Sequence, residues 1–196
     1  GGTVVKVVGK LADISQQRSR EQDLREQAMR DVLTGIYNKA GEKLIDRMVK
    51  EKGQGLFLML DLNDFKSIND TMGHAAGDAI LTEMGSVLKG TCRENDIVAR
   101  IGGDEFVMFL PGAFDWQTGK RKIGEIQESL RTVMISAWGI RGIRASIGAA
   151  LCPEDGLDYE TLFKAADEAM YLDKEQSKNR NESREAGEEK QDRTIS

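Results

Sequence analysis

Three carboxylates in this chain stand where short apolar segments end, and acids so placed can hold a divalent cation or manage the proton of a hydroxyl. Asp61 closes the run Leu56-Phe57-Leu58-Met59-Leu60. Asp104 and Glu105 follow Gly102-Gly103, between the apolar segments Ile97–Ile101 and Phe106–Leu110. A two-residue turn that needs positive φ favours glycine, so Gly102 and Gly103 predict a tight hairpin. Two positions without side chains also let a bulky anionic ligand reach the backbone. If the hairpin packs beside the strand ending at Asp61, the two strand ends carry a carboxylate pair. Each feature is unremarkable alone, since acids commonly form turns or solvated hairpin tips.

The surrounding elements must bring these residues together. Leu56–Leu62 is almost continuously apolar, which predicts a strand buried on both faces. A helix is expected from about Asn38 to Lys52, a short one over Phe65–Thr71 and a longer one over Gly77–Lys89. Backbone N–H groups at Phe65 and Lys66, just after the Asp61 strand, form a natural phosphate cradle with the Lys66 charge beside it. Ile97–Ile101 and Glu105–Leu110 make the hairpin. A helix over Trp116–Ala137, a strand over 143–151 and a last helix capped by Asp158 follow, the latter with Leu162, Ala165, Ala166, Ala169 and Met170 on one face. The order predicts an α/β sandwich. Upstream, residues 3–9 are β-branched and strand-like, and residues 15–30 are polar and helix-prone. The seam Ile14, Gln17, Glu21, Leu24 and Ala28 is thin for a coiled coil. Residues 175–196 are charged, lack aromatics and are expected to be disordered.

The chain has 196 residues, enough for one core of about 150 residues plus extensions. Its net charge of −5 argues against a nucleic-acid partner bound through a basic surface. An acidic protein that handles a nucleotide needs metal ions to offset the phosphates. Cys92 and Cys152 have neither a disulfide framework nor metal-ligand spacing, which fits a reducing cytoplasm. No apolar run approaches the ~20 residues that cross a bilayer, and no secretory leader opens the sequence. The expectation is a cytoplasmic piece without membrane contact of its own, whose parent could be tethered.

The residues at the hairpin spell a family motif. Gly102-Gly103-Asp104-Glu105-Phe106 resembles the signature of the GGDEF family, the diguanylate cyclases. Asp31-Val32-Leu33-Thr34-Gly35-Ile36-Tyr37-Asn38 is similar to its opening motif, with Tyr37, Lys39 and Ala40 departing from it. Leu60-Asp61-Leu62-Asn63-Asp64-Phe65-Lys66-Ser67-Ile68-Asn69-Asp70 resembles the first active-site block, with Asn63 replacing a frequent aspartate. Thr71-Met72-Gly73-His74-Ala75-Ala76-Gly77-Asp78 continues it, and Ser146–Ala150 and Ala166–Tyr171 resemble the closing strand and helix. These blocks keep family order and spacing over roughly residues 30–180. Val8–Ser15 looks like the end of a PAS sensor domain. The resulting division is a PAS-like remnant at 1–14, a helical linker at 15–30, the GGDEF catalytic domain at 31–180 and a charged tail at 181–196.

The resemblance implies a palm-like, antiparallel-rich sheet flanked by helices, as in nucleotide cyclases and polymerases. It implies condensation of two GTP into cyclic di-GMP and two pyrophosphates, by attack of a 3′-hydroxyl on the α-phosphate. Two Mg²⁺ per site, with Mn²⁺ able to substitute, would be bound by Asp61, Asp104 and the carbonyl of Leu62, as hard oxygen donors suit. Glu105 would accept or orient the hydroxyl proton. Phe65 and Lys66, with the open Gly102 and Gly103, would meet phosphate, and Lys174 and Lys178 the terminal phosphates. Ser177-Lys178 stands where the family usually has Gly-Arg, which keeps the charge and loses the planar fork. Asn69 and Asp78 would read the guanine edge, a carboxylate accepting from N1–H and N2–H₂, which favours GTP over ATP. Arg93-Glu94-Asn95-Asp96 matches an R-x-x-D element that binds cyclic di-GMP and inhibits. The family further implies a homodimer in which each subunit supplies half of the active site. The alternative is a catalytically silent domain that binds GTP or cyclic di-GMP and signals.

Overall fold

The apolar run around Leu58 becomes the central strand of a four-stranded antiparallel sheet. In the computed structural model, which describes residues 16–112 and 114–174, this strand is β1, Gly55–Leu62. It pairs with β3 (Glu105–Pro111) on one side and β6 (Ala145–Cys152) on the other, and β2 (Ile97–Arg100) borders β3. Every pairing among these four strands is antiparallel.

Alternation along the strands makes two cores. Leu56, Leu58, Leu60 and Leu62 face one way with Phe106, Met108 and Leu110. Ile80, Leu81, Met84 and Leu88 of α4 (His74–Gly90) and Ile126 and Leu130 of α5 (Trp116–Arg131) cover them. Phe65 and Ile68 of α3 (Phe65–Met72) pack on the same side. Phe57 and Met59 face the other way with Val107 and Phe109. Here Ile45 and Val49 of α2 (Gly41–Lys52) and Leu162, Ala166 and Met170 of α6 (residues 159–174) close the core. Residues 16–28 form α1, along which every side chain is exposed.

The predicted α/β sandwich is therefore present, with three corrections. The helix expected over Trp116–Ala137 stops at Arg131, and a small hairpin follows: β4 (Met134–Ile135) and β5 (Ile140–Arg141) around a 3₁₀ turn at Ser136–Trp138. Apolar residues at 133–135 suit either state; the helix closes at Thr132, whose N–H returns to the Glu128 and Leu130 carbonyls, and left-handed Gly139 and Gly142 shape the hairpin that follows. The helices expected from Asn38 and from Gly77 begin instead at Gly41 and His74. The turn between β2 and β3 spans 101–104, and neither Gly102 nor Gly103 has positive φ. The PAS-like remnant, the charged tail and Lys178 lie outside the described residues.

Candidate active site

Period-2 alternation fixes where the acids point. Asp61 continues the Phe57–Met59 face of β1, and its register partner on β3 is Glu105, itself on the Val107–Phe109 face. The two carboxylates thus stand opposite one another on the side of the sheet covered by α6. Asp104, one residue earlier, sits in the turn, where its carbonyl accepts from the Leu62 N–H at 3.3 Å. Strand end and turn are fastened together by that bond, so the four residues Asp61, Leu62, Asp104 and Glu105 form one corner.

Crowding shows in the acid itself. Burial, then the Asp61 and Asp104 carboxylates, then Asp167 hold Glu105 above the usual carboxylate range, while Lys174 pulls it down. Lys174, in the last described turn of α6, places its Nζ 2.8 Å from Asp61 Oδ1. A cleft of about 490 Å³ opens here, lined by Asp61, Glu105, Asp167, Glu168, Tyr171 and Lys174 among others, a volume within the ~300–1,000 Å³ of small-ligand sites.

The donors at this corner suit a hard cation: they are oxygens only, they repel one another, and an ammonium already lies against Asp61. Among the described residues no three acids converge into a ready-made cage. An ion that keeps several waters needs none.

Gly102 earns its place by space, not turn geometry. A Cβ there would run into the Glu105 carboxylate. A Cβ at Gly103 would meet nothing within 4 Å, so the backbone there stays open to a ligand. The turn is held from behind. Arg100 donates from Nη2 to the Gly103 carbonyl at 2.7 Å and from Nε at 3.1 Å. Its Nη1 lies 3.3 Å from Asp31 Oδ1, an oxygen that also accepts from the Thr34 N–H and hydroxyl. Burial works to raise Asp31, but the Thr34 hydrogen bonds and then the Arg100 charge outweigh it and hold the acid below its ordinary value.

Around the strand end, Asp64 adopts left-handed φ 59° and starts α3 without a side-chain cap. The first-turn N–H groups at Phe65 and Lys66 are therefore not claimed by a capping side chain, and Lys66 is exposed. Asn69 lies over Gly77, where a Cβ would take the position of its amide oxygen, and the next residue is the exposed Asp78. Thus α3 and α4 meet at the proposed guanine pair. Asn63 turns its side chain to β6: its Oδ1 accepts the Ser146 hydroxyl at 2.9 Å.

Arg93 and Asp96 lie elsewhere. Asp96 Oδ2 accepts the Arg93 N–H at 2.8 Å, and both line a cavity of about 260 Å³ with Phe114, Arg121, Lys122 and Glu125. That cavity adjoins Leu110 and Pro111, the far end of β3 from Glu105. Six strand steps separate the two ends, about 20 Å.

Arg100 and Asp31 are the residues whose function sequence reasoning missed. Their pairing spans 69 positions, and only the charge and spacing of Arg100 before the glycines hinted at it.

Comparison with known proteins agrees with this fold. The family model for the diguanylate cyclase GGDEF domain matches residues 28–180. Diguanylate cyclase TpbB of Pseudomonas aeruginosa is 34% identical over 178 residues, which cover 86% of this chain and 41% of that protein. Diguanylate cyclase DgcS of Shewanella oneidensis is 32% identical over 165 residues, 81% of this chain and 53% of that protein. The chain thus spans about half or less of these curated relatives. Among solved structures, the isolated GGDEF domain of P. aeruginosa TpbB superposes with TM-score 0.69 at 35% identity, covering 75% of this chain and 89% of that one. The coiled coil and GGDEF domain of Caulobacter crescentus DgcB, solved with cyclic di-GMP, gives TM-score 0.74 at 26% identity, covering 89% and 95%. With its family motif built into the acidic corner and the family model matching most of its length, the chain belongs to the diguanylate cyclase GGDEF-domain family.

Proposed function

We propose that this chain condenses two GTP into cyclic di-GMP and two pyrophosphates, and that it does so as a homodimer with half of the active site on each subunit. The observation that carries the reading is the register of Asp61 against Glu105, with Asp104 bonded through its carbonyl to Leu62. Asp61, Asp104 and the Leu62 carbonyl would hold two Mg²⁺ ions, or Mn²⁺ in their place, which when bound neutralise phosphate charge and acidify the attacking hydroxyl. Glu105, kept above its ordinary range by burial and its acidic neighbours, is suited to orient the 3′-hydroxyl and take its proton. The α3 N-terminus with Phe65 and Lys66 receives phosphate, and Gly103 leaves room for it. Lys174 and Lys178 bind the terminal phosphates. Asn69 and Asp78 select guanine.

The cavity at Arg93 and Asp96 is the proposed product site. Arg121 and Lys122 supply further positive charge there. About 20 Å from the acids, it would restrain the pairing of subunits and not block the substrate cleft directly.

A silent binding module is the second reading, favoured by Ser177-Lys178 in place of Gly-Arg. Asp104→Ala separates the two. Turnover by the parent and its loss in the variant, with cyclic di-GMP still bound by calorimetry, supports the cyclase. Turnover that persists in Asp104→Ala overturns the metal assignment. Binding of GTP by the parent with no turnover favours the silent module.

A further inference from the structure

An ammonium occupies the position at Asp61 where the proposed function needs a metal. Lys174 Nζ is 2.8 Å from Asp61 Oδ1, with the lysine side chain 34% and the aspartate 15% exposed. Lys174 is not carried there by a loose loop. It is the last described residue of α6, whose Leu162, Ala166 and Met170 are buried on the sheet. The contact is close because β6 has Gly148 under α6, where any Cβ would strike the backbone of Ala166 and Met170. Glu105 and Asp167 crowd the same cleft. If the ammonium leaves, these acids are left facing one another, so its departure demands another cation.

Resting on the cyclase reading above, we propose that Lys174 is a placeholder as well as a phosphate ligand: it neutralises Asp61 until the nucleotide arrives, then exchanges Asp61 for phosphate as the metal takes its place. Metal and triphosphate therefore enter together. The lysine suppresses metal binding in the absence of nucleotide and promotes it in its presence. A simple phosphate-binding lysine would have no such double effect, because it would leave Asp61 open to a metal from the start.

The consequence is measurable without turnover. Mn²⁺ is titrated into nucleotide-free protein and free Mn²⁺ is followed by its electron paramagnetic resonance signal. Removing the competing partner of a partly exposed pair, in Lys174→Met, should tighten Mn²⁺ binding about three- to fivefold. Lys174→Gln, as a second variant, should do the same, with thermal melting recorded for both. Lys120→Met, which removes an exposed lysine of α5, should leave the affinity unchanged. In the Asp61→Asn background the gain should vanish. Mn²⁺ binding by the folded Lys174 variants that is equal to or weaker than that of the parent would overturn the proposal alone, as would an equal gain in Lys120→Met. Unchanged Mn²⁺ affinity in Asp61→Asn would overturn the metal reading and the placeholder with it.

Discussion

A methyl group at Gly102 would meet the Glu105 carboxylate, so that glycine is favoured for a reason that turn statistics do not supply. Gly102→Ala is expected to lower turnover about a hundredfold, if Glu105 orients the hydroxyl as proposed and is displaced. Its stability in urea should change little, since neither glycine needs a left-handed backbone. A variant with normal turnover would show that Glu105 can move freely. Another residue-scale expectation concerns Cys92. Burial, then the neighbouring Asp96 charge, push its thiol up to about 11 from the ordinary 9.0. Its alkylation at pH 8 should be about a hundredfold slower than that of an unhindered thiol. Rapid labelling in the folded protein would contradict the burial described.

Among the elements, α6 decides whether Lys174 can reach Asp61, and Gly148 decides how closely α6 lies on β6. Gly148→Ala should cost about 1–3 kcal/mol in chemical denaturation, as overpacking does. The second such joint is Asp31 to Arg100 to the Gly103 carbonyl, which links the segment after α1 to the active-site turn. Asp31→Asn should cost about 1–3 kcal/mol at neutral pH, the worth of hydrogen bonds to a charged group. Because the folded protein holds Asp31 below its ordinary 3.8, that contribution is present above pH 3.8. It is lost as pH falls through the lower, folded value, so the gap between parent and variant should close only below pH 3.8. Strand β1, its double-sided burial and Asp61 at its end could be read from eight neighbouring residues, as could the Asp158 cap, whose Oδ1 accepts the Thr161 N–H at 2.8 Å. The β4–β5 hairpin could not, because Val133, Met134 and Ile135 suit a helix equally and the bonds that close the hairpin, such as Gly142 N–H to the Val133 carbonyl at 2.8 Å, join residues distant in sequence. Nor could Asp31–Arg100 or Lys174–Asp61, since no local pattern encodes which distant charges meet.

At the scale of the whole molecule, one chain presents one acidic corner, the Asn69–Asp78 pair where α3 meets α4, and a separate basic cavity at the opposite end of β3. On the proposed reading, joining two GTP head to tail would bring two such corners face to face, and α1, exposed along its length, is free to pair with its copy. If the cavity at Arg93 acts by holding subunits apart, Arg93→Ala should abolish inhibition by cyclic di-GMP while leaving the initial rate unchanged. The central claim is tested most directly by the initial rate of cyclic di-GMP formation from GTP and Mg²⁺, resolved by chromatography over a wide range of protein concentration. The expected result is a cyclic di-GMP peak whose rate rises with the square of protein concentration until dimers saturate, and which is absent in Asp104→Ala. Bound GTP with no cyclic di-GMP at any concentration, or a strictly linear rate from a protein shown to be monomeric, would contradict it.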